Sequence, residues 1–238
     1  MPETLPSADE LALLLRANSS GRDDARLRNA GQLIATDPAG AKLWLRQLAC
    51  DRRRNVRGWA IETAYQTLGR AAVPILLERF NDSSLELRAD VLAKVRALDP
   101  EALRSRLPAL RRRLSRPLDH PLDYKVILWT VAQLRDYEAI TDVQRFVEAA
   151  TWPYYISLGR LVIDYIKRGP ASVESAVRPD HDHTTTIPLC DLVFAVEATR
   201  PMRKTLERAA ELDPEPTCRE EYLMAASRIT NQLANLRS

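Results

Sequence analysis

One phrase of this chain occurs twice, almost in register. Its fuller copy runs Pro74-Ile75-Leu76-Leu77-Glu78-Arg79-Phe80-Asn81-Asp82, with Leu87-Arg88 ending six residues past the aspartate. The other copy begins at Asp51 and reaches Val56-Arg57 over the same distance. The two aspartates lie 31 residues apart, and Pro74 precedes Pro108 by 34. In a helical chain, recurrence at roughly 30 to 45 residues points to stacked helix pairs, each unable to bury its apolar face alone.

The helical premise rests on composition and on apolar spacing. Seven glycines in 238 residues are too few to turn the many strands of an all-β fold. Ser7 with Glu10 reads as a capping box ahead of Leu11, Leu14 and Leu15. Asp23 or Asp24 opens a second helix, carrying Leu27, Ala30, Leu33 and Ile34. First and second helices then alternate: 41–48 with 54–68, 72–80 with 84–98, 106–114 with 123–134, and 139–149 with 154–168. A short helix follows at 171–177, then a long polar loop at 178–188. Helices at 189–198, 201–212 and 218–236 finish the chain.

Aligned on the arginine of each second helix, the repeats agree on a buried face. Val56, Ala60, Ile61 and Ala64 match Leu87, Val91, Leu92 and Val95, and then Tyr124, Leu128, Trp129 and Ala132. These offsets share one side of a helix. Leu76 and Phe80 match Leu110 and Leu114 in the first helices.

The segment from Ala72 to Leu98 resembles a HEAT repeat. That family places a proline in the first helix, an aspartate eight residues later in the turn, and an apolar-Arg pair six residues beyond. Pro74, Asp82 and Leu87-Arg88 carry the full pattern. Asp51 and Val56-Arg57 carry its second half, with Leu43 in place of the proline. Pro108 begins a third copy, but Arg116 stands where the aspartate should, and Asp119 with Lys125 keeps only the six-residue spacing. The resemblance implies an all-α fold: a right-handed α-solenoid of HEAT-like helix pairs over 41–168, capped by helices in 1–40 and 169–238. It also implies a structural ladder in which Asp51, Arg57, Asp82 and Arg88 join their own or neighbouring repeats.

Function is less sharply specified. HEAT-like solenoids mostly serve as scaffolds, so the resemblance implies a non-enzymatic adaptor gripping another protein along its concave face. Second-helix positions turned that way include Trp59, Glu62, Thr63 and Tyr65, then Asp90, Ala93, Lys94 and Arg96, then Ile127, Thr130, Val131 and Gln133. Trp59, Glu62, Tyr65, Asp90, Lys94, Arg96 and Gln133 are the candidate protein-binding residues, with Trp59 and Tyr65 as exposed aromatic anchors. The alternative partner is nucleic acid. Some HEAT-like proteins are alkylation-repair DNA glycosylases with a Trp-rich segment leading to a catalytic aspartate. Here Trp152 meets no carboxylate before Asp164. Arg104, Arg111, Arg112 and Arg113 form the candidate phosphate-binding patch on one first helix, although the net charge is only +3.

No catalytic motif, resident cofactor or metal site is expected. His181-Asp182-His183 has metal-like spacing but too few ligands, and His120 or Cys190 would have to complete it. A HEAT-like lyase or hydroxylase using that loop is the remaining enzymatic reading. Cys50, Cys190 and Cys218 have no paired spacing, which fits a reducing compartment. Without a leader-like start or a long apolar run, the expectation is a cytoplasmic protein with no membrane partner.

Overall fold

The capping box at Ser7 closes as its spacing predicts. Ser7 N donates to Glu10 Oε2 at 2.8 Å, and Glu10 N donates to Ser7 Oγ at 3.2 Å. The structure, a computed structural model, describes residues 5–18, 34, 37–115, 121–179, 181–196 and 199–235. Among the described residues the chain is all-helical, with no strand, and no helix is long and apolar enough to cross a membrane. The helix expected from Asp23 lies almost wholly outside the described residues, as do Arg116, Asp119 and His120. Two compact units part between Leu103 and Arg104.

The first unit holds α1 (Ala8–Asn18), α2 (Pro38–Ala49), α3 (Arg54–Leu68), α4 (Val73–Glu78) and α5 (Leu85–Leu98). Asp37 caps α2, accepting from Gly40 N at 2.9 Å. A Cβ at Gly40 would meet the Asp37 carboxylate, so a larger residue there would have to push that capping side chain aside. α2 packs on α3 and α4 on α5, while α3 also meets α1, α4 and α5. Every aligned core position of both second helices is buried: Val56, Ala60, Ile61 and Ala64, and Leu87, Val91, Leu92 and Val95. Each larger side chain among them contributes about 1.5–3 kcal/mol by leaving water.

The second unit holds α6 (Leu107–Leu114), α7 (Pro121–Gln133), α8 (Ile140–Ala149), α9 (Pro153–Arg168), α10 (Pro170–Ala176), α11 (His183–Val193), α12 (Arg200–Leu212) and α13 (Pro216–Asn235). α9 lies at its centre, against α7, α8, α10 and α11, while α12 and α13 form a tightly packed pair that α11 joins through α13. α7 is apolar nearly all round, which suits a buried helix. Ile127, Thr130 and Val131 are therefore fully buried, not turned toward a binding face. The Thr130 hydroxyl is satisfied locally by Val126 O at 2.7 Å.

The polar stretch 178–188 also departs from expectation. Its second half is the start of α11. Asp182 sits at the N-cap, accepting from Thr185 N at 3.1 Å and from Thr184 Oγ1 at 2.8 Å. Polarity alone reads as loop, but an acid followed by threonines also reads as a helix start. Asp182→Ala is expected to cost about 1 kcal/mol, measured as a lower urea midpoint at unchanged m-value.

Candidate functional site

The two phrase-bearing bends have the same local bonding. At the first, Asp51 N donates to Leu48 O at 3.0 Å, and Asp51 Oδ1 accepts from Arg53 N at 2.8 Å. At the second, Asp82 N donates to Arg79 O at 2.9 Å, and Asp82 Oδ1 accepts from Ser84 N at 2.9 Å. Each carboxylate thus bonds the amide two residues on, which shapes the chain just before the following helix. At the second bend the cap proper is Ser84, whose Oγ accepts from Leu87 N.

The arginines do not repeat each other's contacts. Arg57 passes over the aspartate of its own bend and forks onto the next one. Its Nε and Nη2 each lie 2.8 Å from an Asp82 oxygen. Its Nη1 donates to the carbonyls of Asp51 and Arg52, both at 3.0 Å. One guanidinium therefore binds the backbone of the first bend to the side chain of the second. Both side chains are buried, at 8% and 2% exposure. Burial raises the Asp82 carboxyl pKa, but the Arg57 fork and the Ser84 amide outweigh it, and the net direction is down. Asp51 is held instead by Arg53, which donates from Nε at 2.8 Å and Nη2 at 2.9 Å, and this lowers its pKa. Arg88 is half-buried, its Nε out of hydrogen-bonding reach of any described group.

On the paired faces of α3 and α5, the structure gathers four of the candidate protein-binding residues. Lys94 is the hub, with 11% of its side chain exposed. Its Nζ reaches Glu62 Oε2 at 2.8 Å, bonds Asp90, and lies 5.3 Å from the centre of the Tyr65 ring. Burial opposes the charge on Lys94, but its hydrogen bonds to Asp90 and Glu62 prevail and raise its pKa. Lys94 in turn lowers the pKa of Glu62. Two carboxylates around one ammonium leave the cluster one charge negative. Trp59 and Tyr65 are half-buried rather than exposed. Trp59 meets Trp44 edge-on at 5.8 Å, and Trp44 Nε1 donates to Pro6 O. That N-terminal clamp was not visible in the repeat pattern. Arg96 is half-buried on α5, and Gln133 lies on α7 in the second unit.

The basic patch looks different in three dimensions. Arg111 bonds Glu138 and lies 3.6 Å from Asp136, and Arg113 Nη1 lies 3.8 Å from the buried Asp123. Burial raises the pKa of Asp136 despite Arg111. Arg104 and Arg112 are the exposed members of the four. Sequence spacing shows that the arginines fan around α6, but not which acids fold back over them.

The histidine pair also finds unforeseen neighbours. His181 Nε2 is 2.8 Å from Ala176 O. His183 Nδ1 is 3.6 Å from the Cys218 sulfur, and its Nε2 is 3.8 Å from Glu215 Oε1. Cys218, not Cys190, is the cysteine beside His183. It is buried, and burial pushes its thiol pKa up, so this thiol is not presented to solvent as a nucleophile. Among the described residues, no three His, Cys, Asp or Glu side chains are grouped to hold a metal. Trp152 is 62% exposed, while Tyr155 is buried against Tyr124, Phe146 and Tyr154. Tyr154 donates to Asp191 at 2.5 Å, which Lys125 also binds at 2.8 Å.

No family model, no curated protein and no solved structure matches this chain.

Proposed function

We propose that this chain is a non-enzymatic HEAT-like helical-repeat adaptor, its helix pairs layering as a right-handed α-solenoid, that binds another protein through the α3/α5 face. The observation that supports the repeat reading is the matching backbone bonding of the Asp51 and Asp82 bends, 31 residues apart, with Arg57 reaching from one to the next. Bends that repeat chemistry as well as spacing are what layered helix pairs require. The face formed by Glu62, Tyr65, Asp90 and Lys94 combines half-buried aromatic surface with a one-charge acidic excess. Such a surface favours a basic protein segment and disfavours phosphate.

The test is a comparison of affinity captures from the native host, followed by titration of each captured protein after purification. Reversing the face with Glu62→Lys and Asp90→Lys is expected to weaken the partner by about tenfold or more, since like charges across an interface cost several kcal/mol. Unchanged binding by the reversed face would sink the reading. So would duplex DNA binding with a steep salt slope that disappears when Arg104 and Arg112 are reversed.

A further inference from the structure

The bends at Asp51 and Asp82 flank a cleft of about 320 Å³ whose walls carry three acids, Asp51, Glu78 and Asp82, and three arginines, Arg52, Arg57 and Arg79. By formal charge the walls balance. By pairing they do not. Asp51 is forked by Arg53, Asp82 is forked by Arg57, and Glu78 accepts from Arg46 Nε at 2.9 Å. Arg53 also reaches Asp9, but that side chain is 87% exposed and largely screened by solvent. Every acid of the cleft thus has its own forked or bonded guanidinium, and two guanidiniums have no such partner among the described residues. Arg52 is exposed at the rim, and Arg79 is half-buried. Neither guanidinium has a hydrogen-bonded or ion-paired partner among the described residues, although Arg52 acts on Asp51 and Arg79 on Asp82 through space. Arg79 Nε is shut off from solvent with no acceptor among the described residues, a buried donor whose hydrogen bond is unmade.

We propose that this cleft binds the phosphoryl group of a phosphate monoester. Two guanidiniums with no fork partner among the described residues match the charge of about −1.5 to −2 that such a group carries at neutral pH, and their planar N–H donors match its oxygens. No aromatic or aliphatic side chain lines the cleft, so it offers a nucleobase nothing to stack on, unlike the mostly apolar pockets that hold drug-sized ligands. Arg57 does not supply the new contact. It is the brace that keeps the two bends at a fixed spacing, with all its donors engaged within the protein. The inference goes beyond the adaptor reading and stands without it, because it concerns the bends and not the α3/α5 face.

The test is calorimetric titration of the full chain at constant ionic strength with three probes: inorganic phosphate, O-phosphoserine and a phosphoserine heptapeptide. Saturable one-to-one binding is expected, weakened about tenfold by Arg52→Gln and by Arg79→Gln, as befits loss of a charge-assisted fork. Lys204→Gln, the same charge change in the second unit, should leave it unaltered. Tighter binding of the peptide than of O-phosphoserine assigns the phosphate to a protein partner, and equal binding assigns it to a free ester. A second readout uses Cys50, an exposed thiol on the same cleft wall. Phosphate should slow its alkylation by neutral iodoacetamide several-fold in the native chain and not in the arginine variants. Cys190 and Cys218, both buried, stay unmodified in any variant that is folded. Should Arg79→Gln expose them, the surface substitution Arg52→Gln carries the test alone. Binding no tighter than chloride, or full affinity retained in folded Arg52→Gln, overturns the proposal.

Discussion

Arg57→Ala is expected to lower the unfolding free energy by about 3–5 kcal/mol, the range for removing one partner of a buried ion pair. Most of that loss comes from what is left behind. Asp82 would keep its charge at 2% exposure with the Ser84 amide still bonded to it and Arg79 acting only through space, and the carbonyls of Asp51 and Arg52 would lose their shared donor. Arg57→Lys should fall between the two, since an ammonium restores the charge but not the fork. The double variant Arg57→Met, Asp82→Leu should cost less than Arg57→Ala, because it removes both charges together. Urea unfolding of the four proteins separates these outcomes. If Arg57→Ala costs no more than the double variant, the fork is not what holds the bends together.

The same pair sets an acid dependence. The Asp82 pKa is lower in the folded chain than in the unfolded one, so its contribution is fully present above the unfolded value of about 3.9. It is lost as pH falls through the lower folded value. Stability should therefore drop below about pH 4, and Asp82→Asn should flatten that part of the curve while lowering the plateau above it. A variant curve parallel to the parent's would show that other carboxylates carry the acid transition.

Gly159→Ala is expected to destabilise the second unit by about 1–3 kcal/mol, although alanine is the better helix former by about 1 kcal/mol. Gly159 is buried in α9 where α8 crosses it. A Cβ there would lie 2.4 Å from Val147 Cγ2, with Val143 and Phe146 close behind at 3.7 and 3.8 Å. Val147 cannot swing aside cheaply, because a β-branched side chain in a helix has one strongly preferred rotamer. Adding Val147→Ala should recover most of the loss by opening the space the new methyl needs. Thermal unfolding of the single and double variants checks this. A single variant as stable as the parent would mean that α8 and α9 separate without cost.

Much of the helical layout was legible in the chain. The bounds of α3 were read without error, and those of α5, α6 and α9 to within a residue, because caps, prolines and apolar spacing are local signals. The Arg57 fork was half legible. A six-residue spacing announces an arginine near an acid, but only packing decides that it skips Asp51 for Asp82. The cleft's imbalance was not legible at all. Which arginine neutralises which acid depends on side chains 25 to 32 residues apart, such as Arg57 with Asp82 and Arg46 with Glu78. The ion partners of the basic run on α6 were not legible for the same reason, since Asp136 and Glu138 reach Arg111 from another helix pair. The start of α11 was missed because threonine and histidine look like loop until Asp182 is seen to cap them.

By itself the sequence determined the all-α class, the apolar face of each second helix, and the two equivalent bends. All three follow from interactions within one turn or one helix, which spacing records directly. Tertiary structure alone decided charge pairing: which guanidiniums are consumed as braces and which two have no fork partner among the described residues. Pairing depends on distances between helices, and no local pattern encodes those.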